Sequence, residues 1–163
     1  MIKKYPIIWL TGNSGAGKST AAFAVQKMIN YELETEEDFA RRMVILDGDE
    51  MRATVSVGEG FTKADRTRHN QRVARLARLL RESGFLVVVT VIAPFEDVRK
   101  QLEEICNPIW VYIKREVHHE DDRPYEPPEN PAYIIDNDKC SIEEAQAQLF
   151  TFIKTTLAKE FHI

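Results

Sequence analysis

Short apolar runs alternate along this chain with longer stretches of helical periodicity, a pattern that predicts parallel β-α-β units. Ile7 to Leu10 reads as a buried strand that runs into a glycine-rich turn, with a helix following from about Lys18 to Asn30. Met43 to Leu46 predicts a second strand ending at Asp47. Between Asp65 and Ser83 the apolar residues Val73, Leu76, Ala77 and Leu80 recur on one side of a helix that Gly84 stops. Leu86 to Ile92 is the most β-prone run and predicts a central strand. Phe95 to Ile105 predicts a helix, and Ile109 to Ile113 a fourth strand. Glu116 to Pro131 is polar and carries Pro124, Pro127, Pro128 and Pro131, so it reads as a loop. Ser141 to about Lys159 predicts the last helix. Ser141 and Glu144 form its capping box, and Ile142, Ala145, Leu149, Phe152 and Leu157 its apolar stripe.

A chain of 163 residues suits one domain, with no internal repeat, linker or low-complexity segment to divide it. The net charge of −4 argues against bulk electrostatic binding of nucleic acid. Cys106 and Cys140 have no metal-ligand spacing, which favours a reducing, cytoplasmic setting over a disulfide framework. The opening apolar run is too short for a signal peptide, and no stretch reaches the length of a membrane span.

The segment Gly12, Asn13, Ser14, Gly15, Ala16, Gly17, Lys18, Ser19, Thr20 fits GxxxxGK[ST], with a strand before it and a helix after. Its glycines let backbone N–H groups wrap phosphates, and the helix N-terminus adds partial positive charge. Lys18 is then placed to reach the β- and γ-phosphates of ATP, and the Ser19 hydroxyl to ligate Mg²⁺. Asp47 closes an apolar run, which puts it at the carboxyl edge of a parallel sheet, where ligands bind. It is a candidate base or Mg²⁺-linked carboxylate, and Asp49 is a second candidate. With no NKxD guanine-reading motif, a small α/β chain of this kind suits a small-molecule kinase. An anionic acceptor calls for arginines, and Arg52 and Arg66 lie nearest the expected site. Arg75, Arg78 and Arg81 read as a solvated helix face.

The strings GNSGAGKST, LDGDEMR, EGFTKADR, VIAPFEDVR and PYEPPENP, with the tail DNDKCSIEEA, resemble the adenosine 5′-phosphosulfate (APS) kinase family over nearly the whole chain. The resemblance implies a P-loop kinase fold, a mainly parallel β-sheet flanked by helices in one domain over 1–163, and a homodimer. It implies transfer of the γ-phosphoryl group of ATP, with Mg²⁺, to the 3′-hydroxyl of APS. On the family pattern Asp47 is the base or Mg²⁺-linked carboxylate and Arg52 contacts the acceptor. Phe61 stacks on the acceptor adenine, Arg66 and Arg72 bind anions, and Ile92 and Pro94 wall the acceptor pocket.

The departures fall on the acceptor side. The family's NIRR is here His69, Asn70, Gln71, Arg72, so His69 stands where an acceptor-binding Asn is expected, and Asn70 is out of register by one. Ala93 stands where the family commonly has serine, which leaves direct in-line transfer and no phosphoserine intermediate. The lid-like loop, about 115–131, is shortened and acidic, without the family's lysines and second stacking aromatic. Its His118-His119 pair lacks a third ligand at useful spacing and reads as loop histidines. Two alternatives stay open: a kinase for another nucleotide-linked anion, for example a cytidine-diphosphate-linked compound, and a nucleotide-binding regulatory domain.

Overall fold

The structure, a computed structural model, describes residues 2–32, 43–117 and 123–161. The strands are β1 (Ile7–Thr11), β2 (Met43–Asp47), β3 (Leu86–Thr90), β4 (Ile109–Lys114) and β5 (Tyr133–Asp136). The helices are α1 (Lys18–Glu32), α2 (Gly48–Ala53), α3 (Lys63–Glu82), α4 (Glu96–Cys106) and α5 (Ile142–Phe161). The strands form one sheet in the order β2-β3-β1-β4-β5, and every neighbouring pair is parallel. This is the expected parallel α/β P-loop architecture.

The inner strands β1, β3 and β4 are mainly apolar because both faces of the sheet are covered there. Alternate residues divide between two cores. Ile8 and Leu10 of β1, Leu86 and Val88 of β3, and Val111 and Ile113 of β4 pack toward α1 and α5, where Val25, Leu149 and Ile153 meet them. Ile7 and Trp9, Val87 and Val89, and Trp110 face the other way, onto Val73 and Ala77 of α3 and Leu102 of α4. Trp9 and Trp110 lie side by side, ring centroids 5.2 Å apart, and the Trp9 indole donates to Val91 O at 2.7 Å. A buried indole without that acceptor would be destabilising.

Several boundaries differ from the sequence expectations. The run Leu86 to Ile92 forms the expected central strand, buried between β2 and β1, but pairs only to Thr90. Beyond Thr90 the chain turns away through Ala93, whose φ of 48° no strand permits. α3 begins two residues early, because Thr62 and Asp65 form a capping box. The capping box at Ser141 and Glu144 is present as expected. Strand β5 and helix α2 were not expected. Arg75 and Arg78 are exposed, whereas Arg81 is half-buried and donates to Cys106 O at 2.8 Å, closing the end of α4. No helix among the described residues is long and apolar enough to cross a membrane.

Candidate active site

The parallel sheet brings β1, β2 and β3 to one carboxyl edge, and the chemistry collects there. The chain leaves β1 at Gly12 so close to β4 that a Cβ would stand 2.3 Å from Ile113 O, so no other residue fits. Gly17 has φ +101°, a left-handed conformation that aims the loop into the start of α1. Two side chains from the far side of the sheet hold the loop. Asn137 donates to Ala16 O at 2.6 Å, and Arg115 to Gly15 O at 3.3 Å. Lys18 is 6% exposed and folds back over the loop, donating to Gly12 O at 2.8 Å and Asn13 O at 2.7 Å. Burial pulls its ammonium down to about 8, against the upward pull of the Asp47 carboxylate.

Asp47, at the end of β2, accepts a hydrogen bond from Ser19 Oγ and another from Thr90 Oγ1 at 2.8 Å. Thr90 is its register partner on β3. Burial pushes the Asp47 carboxyl up. The two hydroxyls and the backbone amides of Asp49 and Glu50 outweigh that and hold it below its ordinary value. It is therefore an ionised carboxylate at neutral pH.

A cavity of about 580 Å³ opens beside this cluster. Ser14, Gly15, Lys18 and Ser19 form one wall, and Asp47 and Asp49 the floor. Arg52, Phe61, Arg66, His69 and Asn70 form the opposite wall, and Ile92, Pro94 and Arg123 complete it. Arg52 comes from α2 and donates to Glu59 O at 3.3 Å and Gly60 O at 3.1 Å. Arg66 comes from the first turns of α3 and donates to Phe61 O at 2.8 Å. Both guanidinium groups lie against the Phe61 ring, at 4.4 and 5.4 Å from its centroid. Burial and the neighbouring charges of Arg52 and Arg123 lower the pKa of Arg66. His69 is 3% exposed, with Nδ1 2.7 Å from Ser56 Oγ. Burial, then the charges of Arg52 and Arg72, push its imidazole down to about 4, so it is neutral.

The expected residues divide as follows. Lys18, Ser19, Asp47, Asp49, Arg52, Phe61, Arg66, His69, Ile92 and Pro94 share the one cavity. Arg72 does not line it. Its guanidinium pairs with Glu59 at 2.7 Å, and Glu59 is also held by Arg68 at 3.1 Å. The charge expected for an anion is thus spent on a carboxylate of the protein. Phe61 is exposed enough to stack, but its ring already carries two arginines. Gly17 and Thr20 face a second cavity of about 140 Å³, with Arg115, Asn137, Cys140, Ile142 and Gln146 around it. His118 and His119 lie outside the described residues. Among the described residues, no three His, Cys, Asp or Glu side chains come together as a metal site.

Sequence reasoning missed Thr90, Asn70, Arg123, Arg115 and Asn137. Thr90 was open to inference, since a residue level with Asp47 on the neighbouring strand must reach the same edge. Arg115 belongs to none of the quoted strings, and Asn137 lies in DNDKCSIEEA without an assigned role; both meet the loop only through the order of the strands.

The model of the adenylylsulphate kinase family matches residues 4–123. An adenylyl-sulfate kinase of Deinococcus deserti is 34% identical, over 88% of both chains. One of Bacillus velezensis is 30% identical, over 95% of this chain and 88% of that one. The solved APS kinase of Mycobacterium tuberculosis superposes with a TM-score of 0.72 at 27% identity, covering 93% of this chain and 98% of that one. The phosphate loop, the carboxylate at the end of β2 and the arginine-lined cavity thus sit in a chain that belongs to the adenylylsulphate kinase family.

Proposed function

We propose that this protein transfers the γ-phosphoryl group of ATP to the 3′-hydroxyl of adenosine 5′-phosphosulfate. The observation that carries the reading is the composition of the larger cavity. The phosphate loop lines it on one side, Arg52 and Arg66 face it from the other, and Arg123 completes the lining. Among the described residues, none of those three forms an ion pair with a carboxylate. Three guanidinium groups without carboxylate partners call for a polyanionic ligand beside the transferable phosphate.

In this reading the loop amides and Lys18 hold the triphosphate with its γ end toward Asp47. The nucleoside end emerges at Gly17 and Thr20, and the second cavity, with Arg115 and Asn137, takes the base. Arg52, Arg66 and Arg123 hold the anionic end of the acceptor and turn its hydroxyl toward Asp47. The bond from the γ-phosphorus to the bridging oxygen breaks, a bond to the 3′-oxygen forms, and ADP leaves. Asp47 is a weak base, because its hydrogen bonds hold its pKa low. Its part is to orient the hydroxyl and take the proton late, which suffices for a loose transition state.

Ser19 and Asp47 offer hard oxygen ligands, which fit Mg²⁺ held by one carboxylate, substrate phosphates and water. When bound, the ion neutralises the β- and γ-oxygens. The homodimer implied by the family belongs to the same proposal and is read by sedimentation equilibrium.

The test is a panel of acceptors assayed with MgATP: APS, AMP, and cytidine- and uridine-linked anions. Fastest transfer to APS is the expected result. Clear transfer to another member with none to APS would overturn the acceptor while leaving the kinase reading intact. ATP binding without transfer to any member would favour a regulatory domain.

A further inference from the structure

On α3 the buried positions Asn70, Val73, Ala74 and Ala77 follow the spacing of a core-facing stripe. Asn70 is the odd member: it is 2% exposed, and its Nδ2 has no hydrogen-bond partner among the described residues. A buried amide donor left unpaired destabilises a fold, and an apolar side chain of the same size would relieve it. The same side chain lines the cavity between the phosphate loop and the arginines. A local rule broken in a core stripe, at the wall of a site, marks a residue retained for what it binds.

The neighbouring groups define the ligand atom that suits it. The hydroxyl of Ser56 has His69 Nδ1 as its one partner among the described residues. Either group can be the donor in that pair, so His69 adds no fixed donor to the wall. Arg52 and Arg66 add only donors. The wall thus presents an uncharged amide donor beside two guanidinium groups, and the complement of such a set is an oxygen that carries negative charge.

We infer that Asn70 binds the acceptor substrate, its Nδ2–H donating to an anionic oxygen at the end of the acceptor remote from the reacting hydroxyl. The inference rests on the reading of this cavity as the acceptor site. It names a residue one position from the one that the sequence pattern singles out, and gives this chain a contact to replace part of what Arg72, held by Glu59, does not supply.

The experiment compares wild type with Asn70→Leu and Asn70→Asp, using APS and ATP. Removing a hydrogen bond to a charged group raises the acceptor KM about ten- to hundredfold in Asn70→Leu. The KM for ATP stays within about twofold, and the unfolding midpoint of the ligand-free variant is equal to or above that of wild type. Asn70→Asp, which sets a carboxylate against the anion, weakens APS further. An unchanged APS KM in Asn70→Leu overturns the inference. So does a lowered unfolding midpoint with both KM values raised together, since that is a structural role. If wild type does not phosphorylate APS, the functional reading fails first. The Asn70 side-chain amide signals in ¹⁵N-labelled protein, titrated with inorganic sulfate, then decide: a shift supports the contact and none overturns it.

Discussion

Lys18 carries its charge at a cost, and that gives the proposed phosphate site a pH signature. Burial leaves the free ammonium with a pKa of about 8, and a polyphosphate beside it favours the charged form and raises that value. Below about pH 8 the free protein is already protonated, and ATP affinity is flat with respect to this group. Above it, binding must take up a proton, and affinity falls by up to about tenfold per pH unit. Calorimetric titration with ATP from pH 6.5 to 9.5 is expected to show that break, and Lys18→Arg to remove it. His69 has the opposite consequence, for stability. Its folded-state pKa of about 4 lies below the ordinary 6.5, so between those values the unfolded chain binds a proton that the folded chain refuses. Stability from this group is intact above pH 6.5 and is lost as pH falls toward 4, by roughly 3 kcal/mol in total. Urea unfolding of His69→Gln is expected to show a smaller loss than wild type over that window.

At the level of elements, the wall of the acceptor cavity hangs on one buried side chain. Arg99 of α4 is 2% exposed and donates to Ala93 O at 2.7 Å and to Glu126 O at 2.6 Å, while pairing with Glu96. It ties the turn after β3, where Ala93 takes its left-handed conformation, to the segment that leads into β5. Arg99→Met leaves the buried Ala93 carbonyl unmatched and releases the partly exposed Glu96 and Glu126 O, a loss of roughly 1–3 kcal/mol. A lowered unfolding midpoint and a raised acceptor KM are expected together, because Ala93 and Pro94 shape the cavity. Arg99→Lys, which keeps the charge and loses the fork, is expected to fall between. This contact also shows what the sequence leaves dark. Strands β1 to β4, the phosphate loop and Asp47 are legible because local signals agree: apolar runs, glycines, and a carboxylate at a strand end. Strand β5 is only Tyr-Ile-Ile-Asp after a proline-rich loop, and its pairing with β4 is a long-range event. Arg72 looks like a ligand arginine in sequence, and only the fold reveals that Glu59 claims it. Asn70 looks misplaced by one residue, and only burial reveals that it faces the cavity.

Across the whole molecule, the two proposed substrates sit on different walls of one edge, and that separates their effects on stability. On the proposed reading, ATP meets the β1–α1 loop, Lys18 and the β4–α5 side of the sheet, while the acceptor meets α2, α3 and the turn after β3. A ligand that binds only the folded state stabilises it by about 2.7 kcal/mol at a hundred times its Kd. For a chain of this size that corresponds to a rise of about 5–10 °C in the unfolding midpoint. ATP and APS, each alone at that ratio, are expected to give separate shifts. Lys18→Ala leaves the fold intact and removes most of the ATP shift, since the phosphates lose their one buried cation. It leaves the APS shift standing. Arg66→Ala does the reverse, because its guanidinium faces the acceptor and its loss removes a charge-assisted partner. Differential scanning calorimetry of the three proteins with each ligand reads all six combinations. Loss of both shifts in either variant would mean that the two ligands share one site, and the assignment of separate walls would fall with it.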